Sequence, residues 1–159
     1  QKMYKDLSEV DDEELKKAND AVAKMSEDAA KRAADAQAAE AERLRGVYEQ
    51  QTQELANSIQ ERLNAVYGNV VAASEIELEA AQTNYDRLKT MDKETKAALF
   101  ANEEQYKAAV LDAEAQILEA RTRNGEAVKA QAEEVAKTMQ AVTGAMSSLY
   151  EAAAGDSEA

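Results

Sequence analysis

The chain has 159 residues, 45% of them apolar by type but only 4% aromatic, with no proline, cysteine or histidine and a net charge of -13. That length suffices for one domain with a core, and the acidity argues against nucleic acid and anionic membrane surfaces, both of which need clustered Lys and Arg. Without His or Cys, the usual zinc sites, disulfide frameworks, Ser-His-Asp chemistry and Glu-x-x-His di-iron bundles are excluded, and no cofactor or metal is expected.

Alanine supplies most of the apolar count, which suits helices packed closely along their length better than a thick globular core. The absence of proline, which costs about 3 kcal/mol inside a helix, fits a few long helices joined by short turns. Residues 1–10 are expected to fray, with Tyr4 and Leu7 able to pack loosely. Asp11 then reads as a cap, with Glu14 three residues later, Asp12 and Glu13 at the positive end of the dipole, and Val10 stapled onto Leu15. The same acids lack the spaced oxygens and central glycine of an EF-hand loop.

Helix A is expected over about residues 12–66, roughly 80 Å at 1.5 Å per residue. Its first stripe is Leu15, Ala18, Val22, Met25, Ala29, Ala36 and Ala39, and its second is Leu44, Val47, Leu55, Ile59, Leu63 and Val66. Continuing the first would bring Arg43 and Gly46 into the seam, so between Gln37 and Gly46 the buried face rotates by roughly 100°. The helix therefore acquires different neighbours at that height. Glu40/Arg43 and Glu42/Arg45 read as pairs on a solvated face.

Tyr67-Gly68-Asn69 should stop helix A through a left-handed cap at glycine. Ser74 with Glu77 gives a capping-box signature for helix B, expected over about residues 75–123. Its stripe is Leu78, Ala81, Tyr85, Leu88, Thr95, Leu99, Tyr106, Ala109, Ala113, Ile117 and Ala120. The matched lengths predict an antiparallel hairpin with Val66 beside Ser74 at the tip and Leu15 near Asn124 at the base. Asn124-Gly125 reads as a second break before helix C, about residues 126–150, whose Val128, Ala132, Val135, Met139, Val142, Met146 and Leu149 form the cleanest heptad seam in the chain. Folded back on helix B, helix C would lie beside the alanine-dense run Ala29 to Ala41. The expected fold is thus all-α: an elongated antiparallel helical hairpin with a shorter third helix packed on its base, a single domain over residues 1–159 with a flexible tail at 151–159.

Neither a Walker A loop nor a Gly-x-Gly-x-x-Gly motif occurs, and carboxylate pairs such as Glu75/Glu79 fall on solvent faces with nothing to raise a pKa. No catalytic residue is expected. No run has the length of a transmembrane span, so no direct membrane insertion is expected, and a chain beginning at Gln1 reads as processed or trimmed. The tip, Tyr67, Gly68, Asn69, Val70 and Val71, places apolar side chains on a turn; they either cap the end of the hairpin core or form a contact surface.

A Glu- and Ala-rich, Cys-free chain of this helix layout resembles the glutamic acid/alanine-rich surface proteins of African trypanosomes, similar in architecture to the helical hairpin of the variant surface glycoproteins. The resemblance covers the whole chain and carries over no functional residue. It implies a non-enzymatic, GPI-anchored coat rod at the cell surface, with lateral packing or self-association in a coat and no nucleic-acid partner; the small residues Ala152 to Ala159 are compatible with a polar approach to an anchor. The residues also admit an intracellular coiled-coil scaffold or stalk subunit using the 128–149 seam to bind another helix. A third reading is a lipid or small-ligand carrier, against which Ala-lined seams leave little cavity.

Overall fold

The structure, a computed structural model, describes residues 2–158, with side chains from Asp11 to Gly155. Among these residues the chain is all-helical, with α1 over Lys2–Ala65, α2 over Val70–Lys89, α3 over Lys93–Leu99 and α4 over Glu103–Glu158. α2 and α4 pack most extensively, while α1 lies on α3 and, less closely, on α2.

The turn after α1 forms as its residues dictate. Gly68 has φ +85, and the Asn69 amide N–H reaches back to the Val66 carbonyl at 2.9 Å. The Asn69 carboxamide accepts from the Ala72 N–H at 3.1 Å, which caps α2 five residues earlier than the Ser74 expectation. Ser74 is instead buried inside α2, where its hydroxyl donates to the Val71 carbonyl at 2.7 Å and accepts from Asn124 Nδ2 at 2.9 Å.

That last bond overturns the expected vertical order. Asn124 lies beside the tip, not at the base, because helix B is not one helix. The chain breaks at Thr90–Asp92 and again at Phe100–Asn102, so that α4 runs antiparallel to α2 rather than continuing it. Asp92 caps α3 by accepting from the Thr95 N–H at 2.7 Å. Asn102 accepts from the Gln105 N–H at 2.9 Å, while the Gln105 side chain accepts from the Ala101 N–H at 3.0 Å, a reciprocal cap for α4.

Helix C as a separate, folded-back element is likewise corrected. Asn124 and Gly125 lie within α4, with the Asn124 amide engaged by Ser74 and Gly125 on the ordinary side of φ. The expected tail also belongs to α4, which runs to Glu158, and Ala159 lies outside the described residues. At the other end the backbone is helical from Lys2, so Asp11 to Glu14 sit inside α1 rather than at its start. The expected fraying of 1–10 is thus replaced by helix from Lys2, while the packing expected of Tyr4 and Leu7 lies outside the described side chains.

The core is thin and made of small residues. Ala113 and Ala120 are 1% and 2% exposed, on the same face of α4 as Tyr106 and Asn124, and Ile76 and Leu88 of α2 are also buried. Methyl side chains there let two backbones approach closely. The accessible surface is 12773 Å², against about 7,800 Å² for a compact monomer of 17.3 kDa. The excess lies in the two ends of the molecule. Every residue from Asp11 to Glu40 is exposed, as is every residue from Val128 to Gly155. The bundle proper therefore comprises α1 from Ala41, α2, α3 and the first part of α4.

Enlarging a methyl at the α2–α4 contact should separate the helices. Ala120→Leu is expected to destabilise by about 1–3 kcal/mol in urea unfolding, whereas Ala30→Leu, on the exposed part of α1, should change stability by less than about 0.5 kcal/mol.

Candidate functional site

The features with potential to act on another molecule are the tip, the two exposed arms, and the cluster that fixes where the arms depart. That cluster surrounds α3. The carbonyls at the end of a helix lack intrahelical partners, and here Arg45 of α1 supplies one: its Nε and Nη2 donate to the Ala98 carbonyl at 3.1 and 3.0 Å. Arg45 thus ties α1 to α3 rather than pairing with Glu42. Higher on α1, the Arg87 guanidinium of α2 lies 4.3 Å from the centre of the Tyr48 ring and donates to the Thr52 hydroxyl at 3.0 Å. Beneath, Lys96 Nζ sits 3.8 Å from the Tyr106 ring centre and 2.9 Å from Glu103 Oε1, and Phe100 meets Tyr106 edge-on at 5.5 Å. The Tyr106 hydroxyl donates to the Leu88 carbonyl at 2.7 Å. These contacts hold the connection between α2 and α4 in one geometry.

The tip residues divide. Tyr67 is 95% exposed and Val70 is 70% exposed, so both face solvent. Val71 is half-buried, Gly68 supplies the turn and Asn69 the cap. The turn rides against α4, whose Ala127, Ala130, Gln131 and Glu134 line a shallow hollow with Gly68 to Val71. Three of the five candidate residues thus build the hairpin end, and two remain as surface.

The arms leave the bundle at opposite ends. α1 emerges beyond α3 and α4 emerges beyond the tip, and both point along the bundle axis because α1 and α4 each run antiparallel to α2. The phase change between Gln37 and Gly46 marks this departure: Ala41, Leu44, Tyr48, Leu55, Ile59, Leu63 and Val66 are half-buried, while Leu15, Val22 and Met25 are exposed. Val47, placed in the seam by spacing, is exposed, and Tyr48 takes its place. On the other arm Val128, Val135, Met139, Val142, Met146 and Leu149 are all exposed, Met139 at 65% and Leu149 at 71%. Leu111 and Leu118, on the face of α4 turned away from α2, are also exposed, and their seven-residue spacing was the signal that could have flagged them.

Several of the charges pair with one another on exposed faces. Arg43 Nε donates to Glu40 Oε2 at 2.9 Å, and Arg62 Nη2 donates to Glu79 Oε2 at 2.7 Å, which holds both carboxyls below the usual range. Glu79 is thus engaged with Arg62, and Glu75 is exposed. Among the described residues no group of three or more acids is placed to hold a metal ion, and no helix is long and apolar enough to cross a membrane. Comparison with known families, with characterised proteins and with solved structures finds no match to this chain.

The Asp92 carboxyl titrates below its usual value because the Thr95 side chain and then its backbone N–H hydrogen-bond to it. A depressed carboxyl contributes stability above its unfolded value, about 3.9, and loses it as pH falls through the folded value. Asp92→Asn keeps a capping acceptor without the charge, so wild type is expected to melt above this variant near pH 6, and the gap to narrow progressively as pH falls below about 3.9, in thermal unfolding followed by circular dichroism.

Proposed function

We propose that this protein is a non-enzymatic helical scaffold or stalk element that works by docking other helices along its projecting arms. The observation that carries the reading is the exposed heptad seam from Val128 to Leu149, which α4 carries about 30 Å beyond the tip. Monomeric soluble proteins seldom leave an apolar stripe of that length uncovered. A helix seam with 4-3 spacing is a surface shaped for another helix. The central bundle then serves as a spacer that sets the direction and separation of two binding arms.

The surface-coat reading shares the elongated rod, but it leaned on a third helix folded against the base. With residues 126–150 standing off the bundle, the geometry lends more to assembly through the arms. A carrier function draws less support still. The concavity along Ala115, Leu118, Glu119, Thr122 and Arg123 lies on one face of α4, open to solvent, and the buried core consists largely of alanine.

Small-angle scattering on the dilute full chain tests the reading. A rod about 130 Å long is expected from the summed arm and bundle rises. A particle of roughly half that length, with the arms folded back so that their seams are covered within the chain, would overturn it.

A further inference from the structure

We infer that the projecting arm of α4 is a self-association surface: two copies of this chain pair antiparallel along the Val128–Leu149 seam, about a twofold axis between Met139 and Val142. The inference rests on the scaffold reading and names its partner.

The choice of a second copy comes from charge. Beside the seam stand Gln131, Ala136, Thr138, Thr143, Ala145 and Tyr150, none of them an acidic or basic side chain. Of the charges in the same stretch, Glu133, Glu134, Lys137 and Glu151 fall on the far side of the helix, and Lys129, at the bundle end beside Val128, flanks the seam. Coiled-coil partners are ordinarily selected by charges flanking the seam. Here Lys129, at one end, is the single flanking charge, and from Gln131 to Tyr150 the flanks carry no such code for a foreign helix. In a chain of net charge -13, an uncharged strip is also the place where two copies can meet without like-charge repulsion. The arm of α1 lacks this property, since Arg32 falls in its seam and Asp28 and Asp35 beside it.

Helix propensity adds an independent requirement for cover. Between Thr138 and Ser148 the arm carries two threonines, a valine, a glycine and two serines, all weaker helix formers than alanine. A helix of that composition is marginal in water when nothing packs on it. The alanine-dense arm of α1 needs less cover to stay helical than this one does.

Packing selects the antiparallel sense. About the proposed axis Met139 meets Val142 of the second copy, Val135 meets Met146, and Ala132 meets Leu149. Each layer pairs a larger side chain with a smaller one, and twofold symmetry repeats the pairing on the other side. A parallel pair would stack Ala on Ala and Met on Met, alternately too thin and too thick for one helix separation. Seven-residue spacing carries the face of Ala113 and Ala120 on to Ala127, which is half-buried against the tip, and the seam starts one residue later at the exposed Val128.

Sedimentation equilibrium of the full chain is expected to show a monomer–dimer equilibrium. Val142→Asp should raise the dissociation constant about 100-fold or more, because each carboxylate would be buried without a partner, and should lower helical circular dichroism without shifting the melting of the bundle. Because the chain has no cysteine, Met139→Cys and Val142→Cys can be mixed and oxidised; the mixed disulfide should dominate over either homodimer. A monomer at all concentrations would overturn self-pairing, and homodisulfides forming as readily as the mixed one would overturn the antiparallel register. If scattering meanwhile shows the extended rod, the scaffold reading stands and only the self-pairing falls.

Discussion

The close contact of α2 with α4 through Ala113 and Ala120 is the constraint on which the rest depends. Two helices can approach this closely only where their facing side chains are small. The approach fixes the height at which Asn124 meets Ser74 and Tyr106 meets the Leu88 carbonyl, one bond at each end of α2. Between those bonds the hairpin has one register. α3 spans the reversal, and its uncapped carbonyl end becomes the point at which Arg45 fastens α1. Two arginines, Arg45 and Arg87, bind α1 to the hairpin largely through backbone carbonyls and an aromatic face. Polar anchoring of this kind suits a thin bundle, because contacts that choose one position along a helix do not need a deep apolar core.

Much of the packing was legible because helical spacing is a local property. Leu78, Ala81, Tyr85, Leu88, Ala109, Ala113, Ile117 and Ala120 all lie on buried or half-buried faces. The phase change near Arg43 does mark a change of neighbours, though with the opposite sense to that expected: the alanine-dense run is bare and the run after it is packed. Spacing specifies which side chains share a face, and says nothing of whether anything covers that face.

The turns were harder to read, for a physical reason. Thr90 to Asp92 and Phe100 to Asn102 contain neither glycine nor proline, and their reversal is enforced by side-chain caps from Asp92 and by the Asn102–Gln105 pair. Both pairs were visible as a capping residue followed three positions later by a polar partner. At Asn124-Gly125 the error ran the other way. A dipeptide that ends helices when its amide must find local partners continues one here, because Ser74 satisfies Asn124 across the bundle. Ser74, in turn, looked like a cap and is a buried link. Chain order could not reveal either role, since each is defined by a residue about 50 positions away.

The two arms show how similar stripes come to differ in consequence. Leu15 to Ala39 is carried on a helix rich in alanine and lysine, which holds its shape in water through backbone propensity. Val128 to Leu149 is carried on a segment of threonine, serine, valine and glycine whose helical state must draw on tertiary or quaternary burial. The first arm can therefore act as a spacer whether or not anything binds it. Under the proposed pairing, burial of the second seam would also stabilise the helix that carries it, so part of the free energy of docking would go into order, and the affinity for the buried area would be lower than that of a rigid arm. One self-supporting arm and one arm that gains from cover, held apart by a bundle with a single register, would then suit an element that joins an assembly reversibly at one end while keeping a fixed reach at the other.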